Sequence, residues 1–193
     1  FKGVALTTPK SGTRPTTDRT KEAIFSHLDS WGVLDDARVL DLFAGTGALG
    51  IEALSRGARE LVAVESSAPA AALIAQTLTA LKHNRSWEHG MSARVVKARA
   101  EKYESSASAV EPFDMVFIDP PYAFETNDCN QLLADLASRE LTSSNTVIML
   151  ERSTRSEAPA APANWEITDR RDYGETAVYY IEPSEPISDK GQH

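Results

Sequence analysis

Apolar residues along the chain occur in short runs that alternate with longer amphipathic segments. The runs have strand length and are almost continuously apolar, and they lie at residues 37–43, 60–65, 93–98, 113–119 and 145–151. The amphipathic segments carry apolar side chains at helical spacing, and they lie at residues 17–28, 45–58, 68–83 and 130–138. This alternation predicts strands that are joined by helices.

The order of these elements predicts an α/β fold with a mostly parallel sheet. Strands that alternate with helices form sheets covered by helices on both faces, and almost continuously apolar strands are typical of a sheet buried on both sides. Residues 165–182 instead indicate two strands joined by a tight turn at Gly174, which predicts an antiparallel hairpin near the C-terminal end. With this hairpin the predicted sheet has seven strands in all.

The predicted elements indicate one domain with two short additions. Residues 37–182 hold the predicted sheet. Residues 1–36 form an N-terminal appendage that is polar, rich in turn-forming residues and ends in one helix, and residues 183–193 are expected to be a flexible tail. Because the chain begins at Phe1 rather than Met, the appendage is expected to be incomplete at its start.

Composition excludes several classes of protein. No apolar run approaches the length of a membrane span. Cys129 is the single cysteine, so an internal disulfide or a cysteine-based metal cluster is excluded, and the four histidines are scattered along the chain. We therefore expect no metal and no membrane partner, and we expect a monomer in the reducing cytoplasm.

The charge of the chain is uneven. Its net charge of −8 argues against a large nucleic-acid-coating surface. Residues 1–21 nevertheless hold five basic residues and one acid, Asp18. A basic patch on an acidic body is compatible with RNA binding.

A glycine-rich loop follows the first predicted strand. Gly45, Gly47 and Gly50 form a G-x-G-x-x-G pattern at the point where a strand ends and a helix begins, and such glycines let a ligand approach the backbone closely. Glu65 ends the next predicted strand, twenty residues after Gly45. A carboxylate in this position can accept hydrogen bonds from both hydroxyls of a ribose. The pattern therefore predicts a nucleoside-containing ligand rather than a simple tight turn.

Two ligands fit such a loop, a nicotinamide dinucleotide and S-adenosylmethionine. Asp41 lies four residues before Gly45, where its carboxylate can meet the amino group of S-adenosylmethionine. A dinucleotide gains little from an anion so close to its pyrophosphate. A dehydrogenase of 193 residues would also lack room for a separate substrate domain. These two points favour S-adenosylmethionine.

An acid, two prolines and an aromatic residue follow the fourth predicted strand. Asp119 lies at the carboxyl end of that strand, which is the edge where open α/β sheets bind ligands. The Asp119 carboxylate and the Pro120 carbonyl can accept hydrogen bonds from both hydrogens of an exocyclic amine on a flat ring. Pro120 and Pro121 hold these acceptors rigidly, so little reorganisation is needed as positive charge develops on the nitrogen. Tyr122 offers a face on which the ring can stack.

These motifs resemble those of the S-adenosylmethionine-dependent methyltransferases that act on amino groups. The superfamily includes enzymes that modify DNA adenine or cytosine, RNA guanine or adenine, and a protein glutamine amide. The closer resemblance is to the RsmD type, the 16S rRNA guanine-N2 methyltransferases, and it extends to about residue 182. It rests on four stretches, "TRPTTDRTKEAIFSHL" (13–28), "VLDLFAGTGALGIEALSRGA" (39–58), "DPPY" (119–122) and "NWEITDRRDYGETAVYY" (164–180).

The resemblance implies a class I, Rossmann-like methyltransferase fold whose sheet is completed by the hairpin. It also implies S-adenosyl-L-methionine as cofactor, no metal, and a 16S rRNA substrate within a partly or fully assembled small ribosomal subunit. The catalytic corner would comprise Asp119, Pro120, Pro121 and Tyr122. The residues implied at the cofactor are Asp41, Phe43, Ala44, Gly45, Thr46, Gly47, Glu65 and Ser66, with Ala100 and Glu101 beside the adenine.

The segment "RPTTDR" (14–19) is assigned by the same resemblance. Arg14, Thr16, Asp18 and Arg19 would contact RNA or cover the methionine end of the cofactor, although a plain helix cap with solvated charges also fits this segment. The chain departs from the family in two places. It carries Gln76-Thr77 where the helix after Glu65 often has an Asn, and it lacks the family's basic N-terminal strand, so part of the RNA surface is expected to be absent.

The predicted function is transfer of a methyl group from S-adenosylmethionine to N2 of a specific guanine in 16S rRNA. A DNA adenine-N6 methyltransferase is the nearest alternative enzyme, but such enzymes usually carry a target-recognition region for which this chain has little space. A non-catalytic cofactor-binding module that associates with RNA is the alternative outside enzymes, and the intact "DPPY" corner argues against it.

Overall fold

The computed structural model describes residues 17–107 and 111–184, and in these residues a seven-stranded sheet is flanked by helices. The helices are α1 (Asp18–Trp31), α2 (Ala48–Ser55), α3 (Ala68–Lys82), α4 (Ala100–Ser106) and α5 (Thr126–Ser138). The strands are β1 (Arg38–Asp41), β2 (Glu60–Glu65), β3 (Ser92–Lys97), β4 (Phe113–Ile118), β5 (Thr142–Ser153), β6 (Trp165–Tyr173) and β7 (Thr176–Pro183).

The strand order is β3-β2-β1-β4-β5-β7-β6. The first five strands of the chain pair in parallel, and β7 pairs antiparallel with both β5 and β6. The order reverses between β1 and β4, which is the switch point where open α/β sheets bind ligands. The predicted sheet with its C-terminal hairpin is therefore confirmed.

Two apolar layers lie on opposite faces of the sheet, as predicted. One face packs against α1, α2 and α3, through side chains such as Phe25, Ile51 and Ile74. The other face packs against α4 and α5, through side chains such as Tyr103 and Leu133. Successive residues of a strand point to opposite faces, so each central strand contributes to both layers.

The glycine loop lets α2 pack closely on the sheet. Gly50 lies in α2, and a Cβ added there would come within 2.5 Å of the Leu61 Cδ1 atom on β2. A side chain at this position would force the buried Leu61 side chain or the helix to shift. The third glycine of the sequence pattern therefore favours close helix–sheet packing, as in other G-x-G-x-x-G folds.

The structure differs from the predicted elements most clearly at three places, besides a longer α1 and a shorter β1. Helix α4 was not predicted, because it is a short segment with a mostly polar sequence. Helix α5 begins at Thr126 rather than at residue 130, since its first turn is polar and gives no apolar signal. Strand β5 runs beyond 145–151 at both ends, because Thr142 pairs with Phe113 of β4 and Ser153 pairs with Thr176 of β7.

Helix α1 connects the predicted N-terminal appendage to the sheet. Thr17 caps its first turn by accepting a hydrogen bond from the Thr20 amide at 3.2 Å, and Ile24, Phe25 and Leu28 are fully buried in the core. The division of the chain at residues 36 and 182 stays a prediction, and residues 185–193 of the predicted tail lie outside the described residues. No helix in the described ranges is long and apolar enough to cross a membrane.

Candidate active site

The carboxyl ends of the parallel strands open into a cavity of about 790 Å³. Its walls come from the loops after β1 to β4, the end of β5, the β6–β7 turn and the first residues of α1. This volume lies within the range of pockets that hold a cofactor or a small ligand. The cavity therefore lies where the sequence predicts a ligand.

The loop after β1 presents its backbone to this cavity. Gly45 and Gly47 have φ values of 59° and 81°, the left-handed region that favours glycine. A Cβ on Gly47 would also lie 3.3 Å from the Ile51 Cδ1 atom. Gly45 lines the cavity, whereas Gly47 is the N-cap of α2 and does not line it.

Glu65 joins the glycine loop to the end of β2. Its Oε1 atom accepts a hydrogen bond from the Gly45 amide at 3.0 Å, and its Oε2 atom accepts one from the Ser67 amide at 2.7 Å. Each carboxylate oxygen can accept two hydrogen bonds, so both oxygens keep an acceptor site. Glu65 and the exposed Ser66 line the cavity. Glu65 is thus oriented by the backbone and still able to bind two hydroxyls.

Asp41 is the last residue of β1 and does not itself line the cavity. It is 1% exposed, and within the described residues neither carboxylate oxygen makes a hydrogen bond of normal geometry. Burial, and next the negative charge of Asp119, raise the pKa of Asp41 to about 8. The nearby Phe43 and Gly50 amides favour the charged form but do not offset the desolvation. A cation bound above Asp41 would stabilise its carboxylate.

The other residues predicted at the cofactor also line the cavity. Phe43, Ala44 and Thr46 come from the glycine loop, and Ala100 and Glu101 from the start of α4. The first group follows β1 and the second begins α4 after β3, and β2 lies between these two strands in the sheet. Among the residues predicted at the cofactor, only Asp41 and Gly47 are not wall residues.

The acid–proline–proline–aromatic corner follows β4 directly. Asp119, Pro120, Pro121 and Tyr122 all line the cavity. Asp119 and Pro120 are half-buried, while Tyr122 is 70% exposed although it is a large aromatic residue. The corner therefore combines acceptors of fixed position with a ring face that is open to a planar group.

The first turn of α1 forms another side of the cavity. Thr17, Arg19, Thr20 and Ala23 line it, and Arg19 is exposed. Asp18 is exposed in the same turn but does not line the cavity. The predicted residues Arg14 and Thr16 lie outside the described residues.

Two groups of wall residues were not predicted. The end of β5 contributes Glu151, Arg152 and Ser153, and the β6–β7 turn contributes residues 173–176. The signal for the first group is the change from apolar to charged residues at the end of the run 145–151. A parallel strand that ends in charged side chains points to the ligand-binding edge of the sheet.

The fold and the site together define a class I methyltransferase. The chain belongs to the family of RsmD-type rRNA methyltransferases, since the family model described as "Conserved hypothetical protein 95" matches residues 1–182.

Relatives in sequence and in structure agree with this assignment. The "Ribosomal RNA small subunit methyltransferase D" of Escherichia coli K12 is 33% identical over 178 residues, which is 92% of this chain and 83% of the relative. The solved structure of Escherichia coli yhhF has a TM-score of 0.76 at 31% identity and covers 93% of this chain and 91% of its own. A hypothetical protein of Thermus thermophilus has a TM-score of 0.74 at 31% identity, with 93% and 94% covered.

Proposed function

We propose that this chain transfers a methyl group from S-adenosylmethionine to the exocyclic N2 of a specific guanine in 16S rRNA of the small ribosomal subunit. The observation that carries the proposal is one cavity shared by the Asp119–Tyr122 corner, the glycine loop and Glu65. The names of the relatives as small-subunit rRNA methyltransferases support the rRNA substrate.

The residues of the cavity fit S-adenosylmethionine. The Glu65 carboxylate keeps acceptor sites for the ribose hydroxyls, and Ala100 and Glu101 would flank the adenine. The buried Asp41 makes no hydrogen bond of normal geometry in the described part of the chain, and a cationic amino group would be a suitable partner for its carboxylate. When bound, the cofactor would supply an electrophilic methyl group.

The corner would act on the target amine. An exocyclic amine on an aromatic ring is a poor nucleophile, because its lone pair is delocalised into the ring. Hydrogen bonds to the Asp119 carboxylate and the Pro120 carbonyl would favour a pyramidal nitrogen whose lone pair is free. As the nitrogen becomes cationic, the Asp119 carboxylate would stabilise it, and one of its protons would then pass to water. Tyr122 would stack on the guanine, which has to be in a loop or flipped out of a helix.

Mass-spectrometric nucleoside analysis tests this proposal directly. We expect 16S rRNA from cells that lack the protein to lose N2-methylguanosine at one position. The wild-type gene should restore it, and the Asp119→Ala variant should not. An unchanged N2-methylguanosine content of the 16S rRNA would contradict the proposal, and loss of a DNA or 23S rRNA modification would assign another substrate.

We predict that Glu65→Gln weakens S-adenosylmethionine binding about tenfold. The change keeps the shape of the side chain and removes the charge, and hydrogen bonds to charged groups are worth about 1.5–3 kcal/mol. Isothermal titration calorimetry measures the effect. Glu88→Gln on the exposed surface is the control, and its affinity should equal that of the wild type. Equal affinities for Glu65→Gln and wild type would remove Glu65 from the binding site.

We further propose that the preferred substrate is a partly or fully assembled small subunit, and that the enzyme is a cytoplasmic monomer without a metal. An acidic chain of this size has little basic surface with which to hold free RNA. Subunit proteins and the folded rRNA would present the guanine instead. In the described ranges, no group of three or more His, Cys, Asp or Glu side chains is arranged to hold a metal ion.

We predict that purified subunits are methylated faster than protein-free 16S rRNA at the same concentration. We also predict that Arg19→Ala weakens capture of the subunit and lowers the salt slope of binding by about 1, because one phosphate contact is lost. Methyl incorporation and binding at several salt concentrations measure the two effects. Faster methylation of protein-free rRNA, or an unchanged salt slope in Arg19→Ala, would contradict them.

A further inference from the structure

Arg152 is a buried cation in the cavity wall that forms no ion pair with any residue the structure describes. Arg152 is 8% exposed and lines the cavity at the end of β5. Its Nη2 atom donates to the Thr126 Oγ1 atom at 3.4 Å, which is a long hydrogen bond, and its Nε atom makes none. Among the described residues, no Asp or Glu oxygen lies within 4.0 Å of this guanidinium. Burying a guanidinium is costly unless acceptors satisfy it, so this side chain is suited to a ligand with paired acceptors.

The position of Arg152 relates it to the target amine. Strands β4 and β5 are parallel neighbours, and Ile118 is paired with Leu150. Asp119 and Pro120 follow Ile118, and Arg152 is two residues beyond Leu150, so the corner and Arg152 extend from adjacent strand ends. Residues two apart on a strand point to the same face, and Arg152 therefore lies on the α5 side of the cavity, where it contacts Thr126.

From this arrangement we infer that Arg152 recognises the O6 edge of the target guanine while the corner holds N2. Guanine presents O6 and N7 as adjacent acceptors, and a guanidinium can donate to both with its planar fork. The inference rests on the proposed function and assigns a specificity-determining residue to it. An acid–proline–proline–aromatic corner by itself accepts an amine on more than one kind of base. Arg152 would therefore explain how guanine is selected.

A phosphate is a poorer partner for Arg152 than the base edge. A flipped base enters a pocket with its ring foremost, while its phosphates stay at the rim. Arg152 is more than nine-tenths buried, whereas Arg19 is exposed at the cavity mouth, where a phosphate can reach it. The two arginines would thus have different tasks, the exposed one in holding the backbone and the buried one in reading the base.

A base analogue separates this role from a structural one. 2,6-Diaminopurine keeps the 2-amino group but carries an amino donor in place of O6. The methylated guanine is first mapped in the 16S rRNA. Small subunits are then reconstituted with either guanine or 2,6-diaminopurine at that position, and kcat/KM is measured on both. The proteins compared are wild type, Arg152→Met, Arg152→Lys and the control Arg155→Met, whose side chain is 75% exposed.

We expect wild type and Arg155→Met to prefer guanine by about tenfold to hundredfold, the range of one good arginine–guanine contact. The ratio of kcat/KM on guanine to kcat/KM on 2,6-diaminopurine should be near one for Arg152→Met and intermediate for Arg152→Lys. If Arg152→Met does not fold, the ratio for Arg152→Lys decides. Damage to the fold would lower both rates and leave the ratio unchanged.

Two results would overturn the inference. They are an unchanged ratio in the folded Arg152 variants and equal rates of wild type on the two bases. An unchanged ratio together with a smaller salt slope would indicate a phosphate contact instead. The proposed function fails separately, when wild type methylates no guanine in the reconstituted subunit.

Discussion

Asp119→Ala should lower the rate of methyl transfer by about 10²–10³, the loss seen when one preorganised hydrogen-bonding group is removed from an active site. The expected reason is that Asp119 meets the target amine and stabilises the charge that develops on it. S-Adenosylmethionine affinity and the thermal unfolding midpoint should change little, since Asp119 lies at a half-buried strand end rather than in the core. Single-turnover kinetics on purified small subunits measure the rate, and calorimetry measures the affinity.

Two further variants make this result specific. Asp119→Asn keeps one acceptor oxygen but loses the charge, so its rate should lie between those of wild type and Asp119→Ala. Asp128→Ala removes an exposed carboxylate in the first turn of α5, outside the cavity, and should behave like wild type. A single-turnover rate of Asp119→Ala within about threefold of wild type would refute the role proposed for the corner, because a lost acceptor should cost far more.

The parts of the site that the sequence predicts share one physical reason. Parallel strands end at the same edge of the sheet, so residues that directly follow a predicted strand must lie near one another. Gly45 and Glu65 are twenty residues apart, and the structure joins them by a hydrogen bond of 3.0 Å. Asp119 follows another strand of the same set and lines the same cavity. Pattern and topology together were enough to predict this grouping.

The parts that escaped prediction depend on tertiary context. Arg152 lies just beyond the predicted end of the fifth strand, and a sequence does not show whether a charged residue there is buried. Asp41 is 1% exposed and does not line the cavity, which a sequence does not show either, and its contact with the ligand stays a prediction. Helix α4 has seven residues and only a few buried side chains, so its periodicity is too brief to detect. Its burial is decided by contacts with α5, which lie far away in the sequence.

The same helix contains the second prediction, a stabilising substitution. Glu104 is fully buried, and neither carboxylate oxygen has a hydrogen-bonding partner among the described side chains and backbone. Burial, and next the negative charge of Asp135, raise the pKa of Glu104 to about 9, against the opposing effect of Arg139. Below the ordinary carboxyl pKa of 4.5, Glu104 is protonated in both the folded and the unfolded chain, so its ionisation does not lower the free energy of unfolding. As the pH rises towards 9, the unfolded chain ionises but the folded chain does not, and stability is lost.

Glu104→Gln removes this ionisation while keeping the shape of the side chain. We therefore expect the variant to be more stable than the wild type, by a margin that grows as the pH rises. At neutral pH the gain should be up to about 3 kcal/mol, since each pKa unit corresponds to about 1.4 kcal/mol. Near pH 5 the two proteins should differ by less than about 1 kcal/mol, because the unfolded chain has only begun to ionise there and the folded chain is still protonated. Urea unfolding at about pH 5 and about pH 8 measures the free energies.

Glu140→Gln, on an exposed carboxylate just after α5, is the control, and its stability difference from the wild type should not depend on pH. A difference between Glu104→Gln and wild type that stays constant from pH 5 to pH 8 would show that Glu104 is ionised in the fold, and the buried site would then have to supply a partner for its charge.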